Sequence, residues 1–160
     1  MTQPNCQHHY TVRSALPEDL DNIYNFISHY TADGTLLPRN RDNIKAQVKD
    51  FVVAMDNTGL FLGCGALQTM NDKLVEVRSI AVEPSYRGLG IGTALLVKLL
   101  DEARQRKFTR AMCLTRRSSF FMRCGFVIAA KEHFPEKVWN DCRLCPRQQC
   151  CDEVAMEKQL

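Results

Sequence analysis

The spacing of apolar positions divides this chain into extended and helical stretches. Residues 10–15 alternate and can open a sheet, and from about residue 18 to residue 30 the repeat lengthens to helical spacing. Leu20, Ile23, Tyr24 and Ile27 share one face of that helix, with Pro17 at its entry and Asp19 and Asp21 in its first turn. Asp33 and Gly34 end it. Residues 35–41 form a loop, because Pro38 disfavours helical backbone before it, and Asn40 is placed to cap a short second helix over 43–49. Apolar extended runs then occupy 51–55, 60–68 and 73–82, separated by turn chemistry at 56–59 and 71–72, which predicts an antiparallel meander.

The period changes again after residue 90. Ile91, Leu95, Leu99 and Ala103 recur every four residues, with Leu96 and Leu100 beside them, so a long helix lays one broad face on the sheet. Residues 111–114 are a short buried strand that returns parallel to the fourth through this helical crossover. Ser118 or Ser119 is expected to cap a short helix over 120–123 that Gly125 ends; residues 126–129 and 154–157 are the remaining strands. There is no internal repeat and no low-complexity segment.

Composition narrows the classes. With 160 residues, 45% hydrophobic and 24% charged, one compact soluble domain over residues 1–160 is expected, without room for a second catalytic domain. The longest apolar run, residues 90–97, is too short to span a bilayer, and the first ten residues carry no apolar signal core. A cytoplasmic protein with no membrane partner is expected. The net charge of +3 is spread among interspersed acids, which excludes the basic stripe of a nucleic-acid binder and mildly favours anionic small molecules.

Of the eight cysteines, Cys64 and Cys113 lie in apolar strand patterns and read as small core residues. Cys142, Cys145, Cys150 and Cys151 crowd a tail over residues 133–152, with His133 at its start. One Cys-x-x-Cys and one adjacent pair make poor zinc spacing, so no metal is assigned; a metal knot, a reduced structural loop and an oxidation-prone hairpin stay open. Trp139 is expected to anchor the tail by packing.

The organising stretch is the strand 76–82, the turn Arg87-Gly88-Leu89-Gly90-Ile91-Gly92, and the helix that Thr93 joins. A glycine-rich turn opening a helix leaves main-chain N–H groups without intrahelical partners at the positive end of the helix dipole, so it suits a diphosphate. A nucleotide P-loop needs Gly-Lys-Ser/Thr, which is missing here, and a dinucleotide fingerprint belongs after the first strand of a βαβ unit. The same pattern also serves as a plain helix-capping turn.

The turn resembles the Arg/Gln-x-x-Gly-x-Gly/Ala loop of the GCN5-related N-acetyltransferases (GNAT), and Phe120-Phe121-x-x-x-Gly125-Phe126 is similar to another element of that family. The resemblance implies an α+β GNAT fold: a central mixed, mostly antiparallel sheet of about six or seven strands flanked by helices in a single domain. It implies acetyl-CoA as co-substrate, its pantetheine arm pairing with Ile80, Ala81 and Val82 and its diphosphate held by Arg87, Gly88, Leu89, Gly90, Ile91, Gly92 and Thr93.

More narrowly, Gly34-Thr35-Leu36-Leu37-Pro38-Arg39, the strand Glu76-Val77-Arg78-Ser79-Ile80-Ala81-Val82, Leu114-Thr115-Arg116-Arg117 and Pro135-Glu136-Lys137-Val138-Trp139 resemble bacterial N-acetylglutamate synthases, especially the short stand-alone forms. So do Asp141-Cys142-x-x-Cys145-Pro146 and Cys151-Asp152-Glu153. The implied activity is acetyl transfer to the α-amino group of L-glutamate, the first step of arginine biosynthesis; the alternatives are another small amine or a protein amine, or a non-catalytic acyl-CoA sensor or metal-dependent module. The long synthases carry a kinase-like arginine-binding domain for which this chain has no room.

The resemblance places Glu76 as general base; the competing expectation is an edge-of-sheet glutamate paired with Arg78. Arg39, Arg78 and Arg117 are the implied carboxylate ligands of the acceptor, and arginine suits that task through its bidentate fork. Arg116 is expected in an ion pair or in solvent. Many relatives keep a tyrosine where Phe121 stands, so no general acid is assigned. Oligomeric state is left open, a homodimer included.

Overall fold

The structure, a computed structural model, describes residues 8–135, 137, 142–145 and 151–160. Seven strands, β1 (Tyr10–Ser14), β2 (Phe51–Asp56), β3 (Phe61–Thr69), β4 (Leu74–Val82), β5 (Arg110–Thr115), β6 (Val127–Ile128) and β7 (Val154–Gln159), make one sheet in the order β1-β2-β3-β4-β5-β7-β6. The α-helices whose bounds are described are α1 (Leu20–Ala32), α2 (Arg41–Ala46), α3 (Ile91–Gln105) and α4 (Ser118–Arg123), and Pro135 and Lys137 are also helical. β1/β2, β2/β3, β5/β7 and β6/β7 pair antiparallel, and β4/β5 pair parallel, so the sheet is mixed and the fold α+β, as expected. The chain forms two compact units, Met1–Ala66 with Ser79–Leu99 and Leu67–Arg78 with Leu100–Leu160.

In the first unit β2 is buried on both faces. Phe51 and Val53 join Cys64 and Ala66 of β3 in a core covered by Leu20, Ile23 and Ile27 of α1 and Ile44 of α2. Strand side chains alternate, so Gly63 and Gly65 face the other way. A Cβ built on Gly63 would lie 2.5 Å from Ala81 O and 3.4 Å from Leu95 Cδ1; one on Gly65 would lie 2.8 Å from Leu99 Cδ1. α3 therefore packs directly on backbone. Ile91, Leu95 and Leu99 are fully buried there, each worth about 1.5–3 kcal/mol by removal from water.

Arg13 of β1 makes a two-point ion pair with Asp19, at 2.7 and 3.0 Å, and Asp19 Oδ2 also accepts the Leu16 N–H at 2.7 Å. Burial works to raise the Asp19 pKa, but the bonds from Arg13 and Leu16 outweigh it and leave the carboxyl below its ordinary value.

The second unit closes around Leu74, Met112, Phe134 and Ala155. α4 is ended by Gly125 (φ 87°), with the Gly125 and Phe126 N–H groups turned back onto Met122 and Phe121 carbonyls.

Four local expectations are corrected. Asn40 does cap α2, its Oδ1 accepting the Asn43 N–H at 2.7 Å, but that cap starts the helix at Arg41 and it ends at Ala46, with a separate 3-10 turn over Val48–Asp50. Neither Ser118 nor Ser119 caps α4: both are inside its first turn, Arg117 is the cap residue, and Thr115 Oγ1 takes the Arg117 N–H at 2.8 Å. The strand expected over 126–129 is the two-residue β6, because Phe126 turns into the core beside Phe121. The last strand runs further, Val154–Gln159, because β5 pairs with it throughout.

Gly63→Ala is expected to cost about 1–3 kcal/mol through overpacking against the Ala81 carbonyl. Roughly 2–4 °C of Tm per kcal/mol at this chain length makes that visible in thermal unfolding, whereas Gly59→Ala, in open space at φ 87°, should cost only about 1 kcal/mol of backbone strain. Because the folded-state pKa of Asp19 is depressed, its contribution is complete above about 3.9, the ordinary Asp value, and is lost as pH falls through the folded value. Urea midpoints measured at pH 6 and pH 3 should differ more for the parent chain than for Asp19→Asn.

Candidate active site

Strand β4 passes from the meander to the glycine turn, and each half of it presents different chemistry. Its pairing with β5 is short: Leu74, Val75 and Glu76 align with Arg110, Ala111 and Met112. Ser79 then takes φ 54°, the left-handed backbone that a non-glycine residue adopts rarely, and this breaks the plain strand alternation. Cys64 Sγ lies 3.6 Å from Ser79 O.

Glu76 stands on the first half. In the strand order β4 is flanked by β3 and β5, and Glu76 is 2% exposed, so it is an interior residue and not at the sheet edge, although the Arg78 pairing of the competing expectation is present. Its Oε1 lies 2.7 Å from the Nζ of Lys137, itself 5% exposed, and Arg78 Nη1 lies 3.8 Å from Oε2. Oε2 is shielded from water and accepts no hydrogen bond among the described residues. Two cations thus border one carboxylate in a desolvated place, where charge interactions are strong.

The second half of β4 leads to the turn. Glu83 N–H donates to Leu62 O at 2.7 Å, and the Tyr30 hydroxyl donates to Val82 O at 3.4 Å, which fixes the strand end that carries Ile80, Ala81 and Val82. Burial, then the nearby Glu83 carboxylate, hold the Tyr30 pKa above its ordinary value, so the hydroxyl keeps its proton. A 3-10 turn, Pro84–Tyr86, follows, with the Arg87 N–H closing on Pro84 O. Gly88 and Gly90 have φ of 81° and 83°, and a Cβ on Gly88 would meet nothing within 4 Å. Among the described residues no main-chain carbonyl takes the N–H groups of Gly88, Leu89, Gly90, Ile91, Gly92 or Thr93, and Arg87 and Leu89 are exposed. The turn is an open set of amide donors at the start of a 15-residue helix.

The other residues that sequence reasoning weighed for the site are placed as follows. The Arg39 guanidinium lies 5.0 Å over the Phe51 ring and donates to Asn43 Oδ1 and Gln47 Oε1. Arg117 is exposed at the start of α4. Arg116 pairs with Asp152 at 2.8 Å. Phe121, 3% exposed, packs between Phe120 and Phe126 and brings no hydroxyl.

Residues 17–126 match the acetyltransferase (GNAT) family. This chain belongs to the GNAT family. An uncharacterized N-acetyltransferase of Chlorobaculum tepidum is 38% identical over 149 residues, 93% of this chain and 96% of that protein. An amino-acid acetyltransferase of Mycobacterium tuberculosis is 38% identical over 117 residues, covering 72% of this chain and 67% of that one. The amino-acid acetyltransferase of Shewanella oneidensis is matched over only 28% of its length. In structure, the N-acetylglutamate synthase of Neisseria gonorrhoeae complexed with coenzyme A and N-acetyl-glutamate is similar at a TM-score of 0.83 and 26% identity, over 94% of this chain and 35% of that one.

As a GNAT member this chain is an acetyl-CoA-dependent N-acetyltransferase, with acetyl-CoA as its co-substrate. The unpartnered amides and the open left-handed glycines fit that group: they leave donors and room for a diphosphate where a side chain at residue 88 or 90 would intrude. Lys137 is the buried partner of Glu76 that sequence reasoning did not single out. It was legible only as part of a tail resemblance, because nothing local marks a lysine three residues after Phe134 as buried.

Among the described residues no group of three or more His, Cys, Asp or Glu side chains converges as for a metal, and no helix is long and apolar enough to cross a membrane. Cys145 and Cys151 form no disulfide, and Lys131 Nζ donates to Cys151 Sγ at 3.2 Å; Trp139 and Cys150 lie outside the described residues.

Replacing Gly90 by Val fills the turn and strains a positive φ. Titration calorimetry should show CoA affinity falling by about tenfold or more, the loss of roughly one to two charge-assisted hydrogen bonds, while the circular dichroism spectrum is retained.

Proposed function

We propose that this enzyme transfers the acetyl group of acetyl-CoA to the α-amino group of L-glutamate, making N-acetylglutamate at the entry to arginine synthesis. The observation that carries the reading is the Glu76 carboxylate, buried on β4 with one oxygen held by Lys137 and the other without a hydrogen bond among the described residues. The likeness to named amino-acid acetyltransferases and to an N-acetylglutamate synthase supports the choice of acceptor.

An ammonium must lose a proton before its nitrogen can attack a carbonyl, and Glu76 Oε2 is a desolvated acceptor for that proton. Acetyl-CoA, when bound, supplies a thioester whose thiol has an ordinary pKa near ~8.5, so the leaving group needs little protonation and the lack of a hydroxyl at Phe121 is tolerated. The amides of residues 88–93 with Arg87 hold the diphosphate, and the main chain of Ile80, Ala81 and Val82 aligns the pantetheine arm and polarises the thioester carbonyl. Arg78, Arg117 and Arg39 are assigned to the two carboxylates of the acceptor; Asn43 and Gln47 hold the Arg39 guanidinium in one orientation, which lowers the entropy lost on binding. The whole chain acts as one catalytic domain in the cytoplasm.

Thiol release from acetyl-CoA in a screen of amino acids, small amines and peptide amines should be fastest with L-glutamate; equal rates across unrelated amines would reject the acceptor. Glu76→Gln should lower kcat by about 10²–10⁴-fold, the usual contribution of a positioned base. Arg117→Ala should raise the glutamate KM with little change in kcat, and an unchanged KM would remove Arg117 from the site.

A further inference from the structure

The two oxygens of the Glu76 carboxylate are not equivalent. Lys137 Nζ is 2.7 Å from Oε1, within hydrogen-bond distance, whereas Oε2 is solvent-shielded and accepts no hydrogen bond among the described residues, Arg78 Nη1 standing 3.8 Å away. Both members of the close pair are at least nine-tenths buried. A lysine pays a large desolvation cost there, and for stability alone an apolar pair of similar volume does as well. An arrangement that fixes one oxygen and leaves the other open has a use in proton transfer.

Among the described residues the charged and titratable groups that face this carboxylate are few. Lys137 approaches from the helical stretch after Phe134 and Arg78 from β4 itself; the Cys113 thiol of β5 is near enough to feel the Glu76 charge. Burial, and after it the Glu76 charge, hold Cys113 well above the ordinary thiol pKa, so it stays neutral and takes no part in setting the charge. The ammonium is the group within direct contact.

We propose that Lys137 is a positioning residue for acetyl transfer: it claims Oε1, fixes the orientation of the Glu76 carboxylate in its desolvated place, and thereby makes Oε2 the atom that receives the acceptor's proton, directly or through one water. This presupposes Glu76 as the base named above. In the step an N–H bond of the substrate ammonium breaks, its electron pair stays on nitrogen for attack on the carbonyl, and an O–H bond forms at Oε2. The carboxylate becomes a neutral carboxyl that returns its proton to solvent before the next turnover. Lys137 keeps its three protons throughout.

The test compares kcat/KM for L-glutamate against pH in the full chain and in Lys137→Met, Lys137→Gln, Lys137→Arg and Glu76→Gln. Removing the cation favours the protonated form of a buried carboxyl, so activity needing the carboxylate is lost at low pH and regained as pH rises. Lys137→Met should lose on the order of tenfold at pH 6.5 and recover much of it by pH 8.5, an acidic limb moved up by about one pH unit. Lys137→Gln, which keeps an N–H donor and a similar volume without the charge, should move the limb the same way and covers the case in which the Met variant does not fold. Lys137→Arg should leave the limb at its parent position, and CoA affinity by calorimetry should be unchanged in all three.

A limb that stays in place in the Met or Gln variant, with Glu76→Gln inactive, overturns the role of Lys137 and leaves the base assignment standing. Parent-like activity in Glu76→Gln overturns the base assignment itself, and the role of Lys137 with it.

Discussion

The packing of α3 on bare backbone is the constraint on which the rest turns. With no Cβ at Gly63 and Gly65, Leu95 and Leu99 sit against the main chain of β3, and Ala81 O occupies the space a side chain would need. One helix is thereby held close to the last residues of β4, and its own first turn is delivered where β4 ends. The Glu83–Leu62 and Tyr30–Val82 hydrogen bonds tie down the same segment from two further elements. Donors on a loose loop would have to be ordered on each binding event; donors on a segment fixed in this way are pre-organised, which lowers the entropy lost when a ligand is held.

A second constraint concerns charge. Burying a carboxylate is costly unless a partner of opposite sign is buried with it, and the Lys137–Glu76 pair meets that need at one oxygen only. The remaining oxygen is shielded from water and gains no hydrogen bond among the described residues, a local deficit of about 1–3 kcal/mol. Arg78 adds a further positive charge at longer range, so the cluster as a whole favours an anionic guest.

Most of the fold was legible because its signals are local. Four-residue recurrence marked α3, Asn40 marked a helix start, and Gly34 and Gly125 marked helix ends, all at positions where backbone geometry demands those residue types. The glycine turn that opens α3 was legible for the same reason. The pairing of Glu76 with Lys137 was not, since 61 positions separate them and no period or spacing links a strand carboxylate to a lysine in a later helical stretch. Nor was the left-handed Ser79, where no glycine announced the change of backbone. Both lie where tertiary packing overrides local preference. The start of α4 failed for a smaller reason: a serine inside the first turn and one at the cap look alike until Thr115 is seen taking the Arg117 N–H.

Burial also sorts the sulfur chemistry of the molecule. Desolvation pushes the Cys64 thiol up to about 12 and raises Cys113 as well, so both stay protonated at neutral pH. Both are inert filler towards alkylating agents and peroxide. Cys124, Cys142, Cys145 and Cys151 are solvent-accessible to different degrees, so modification of the described thiols by electrophiles is confined to the stretch from α4 to the start of β7. A maleimide tag on these would leave the sulfur atoms of the sheet untouched.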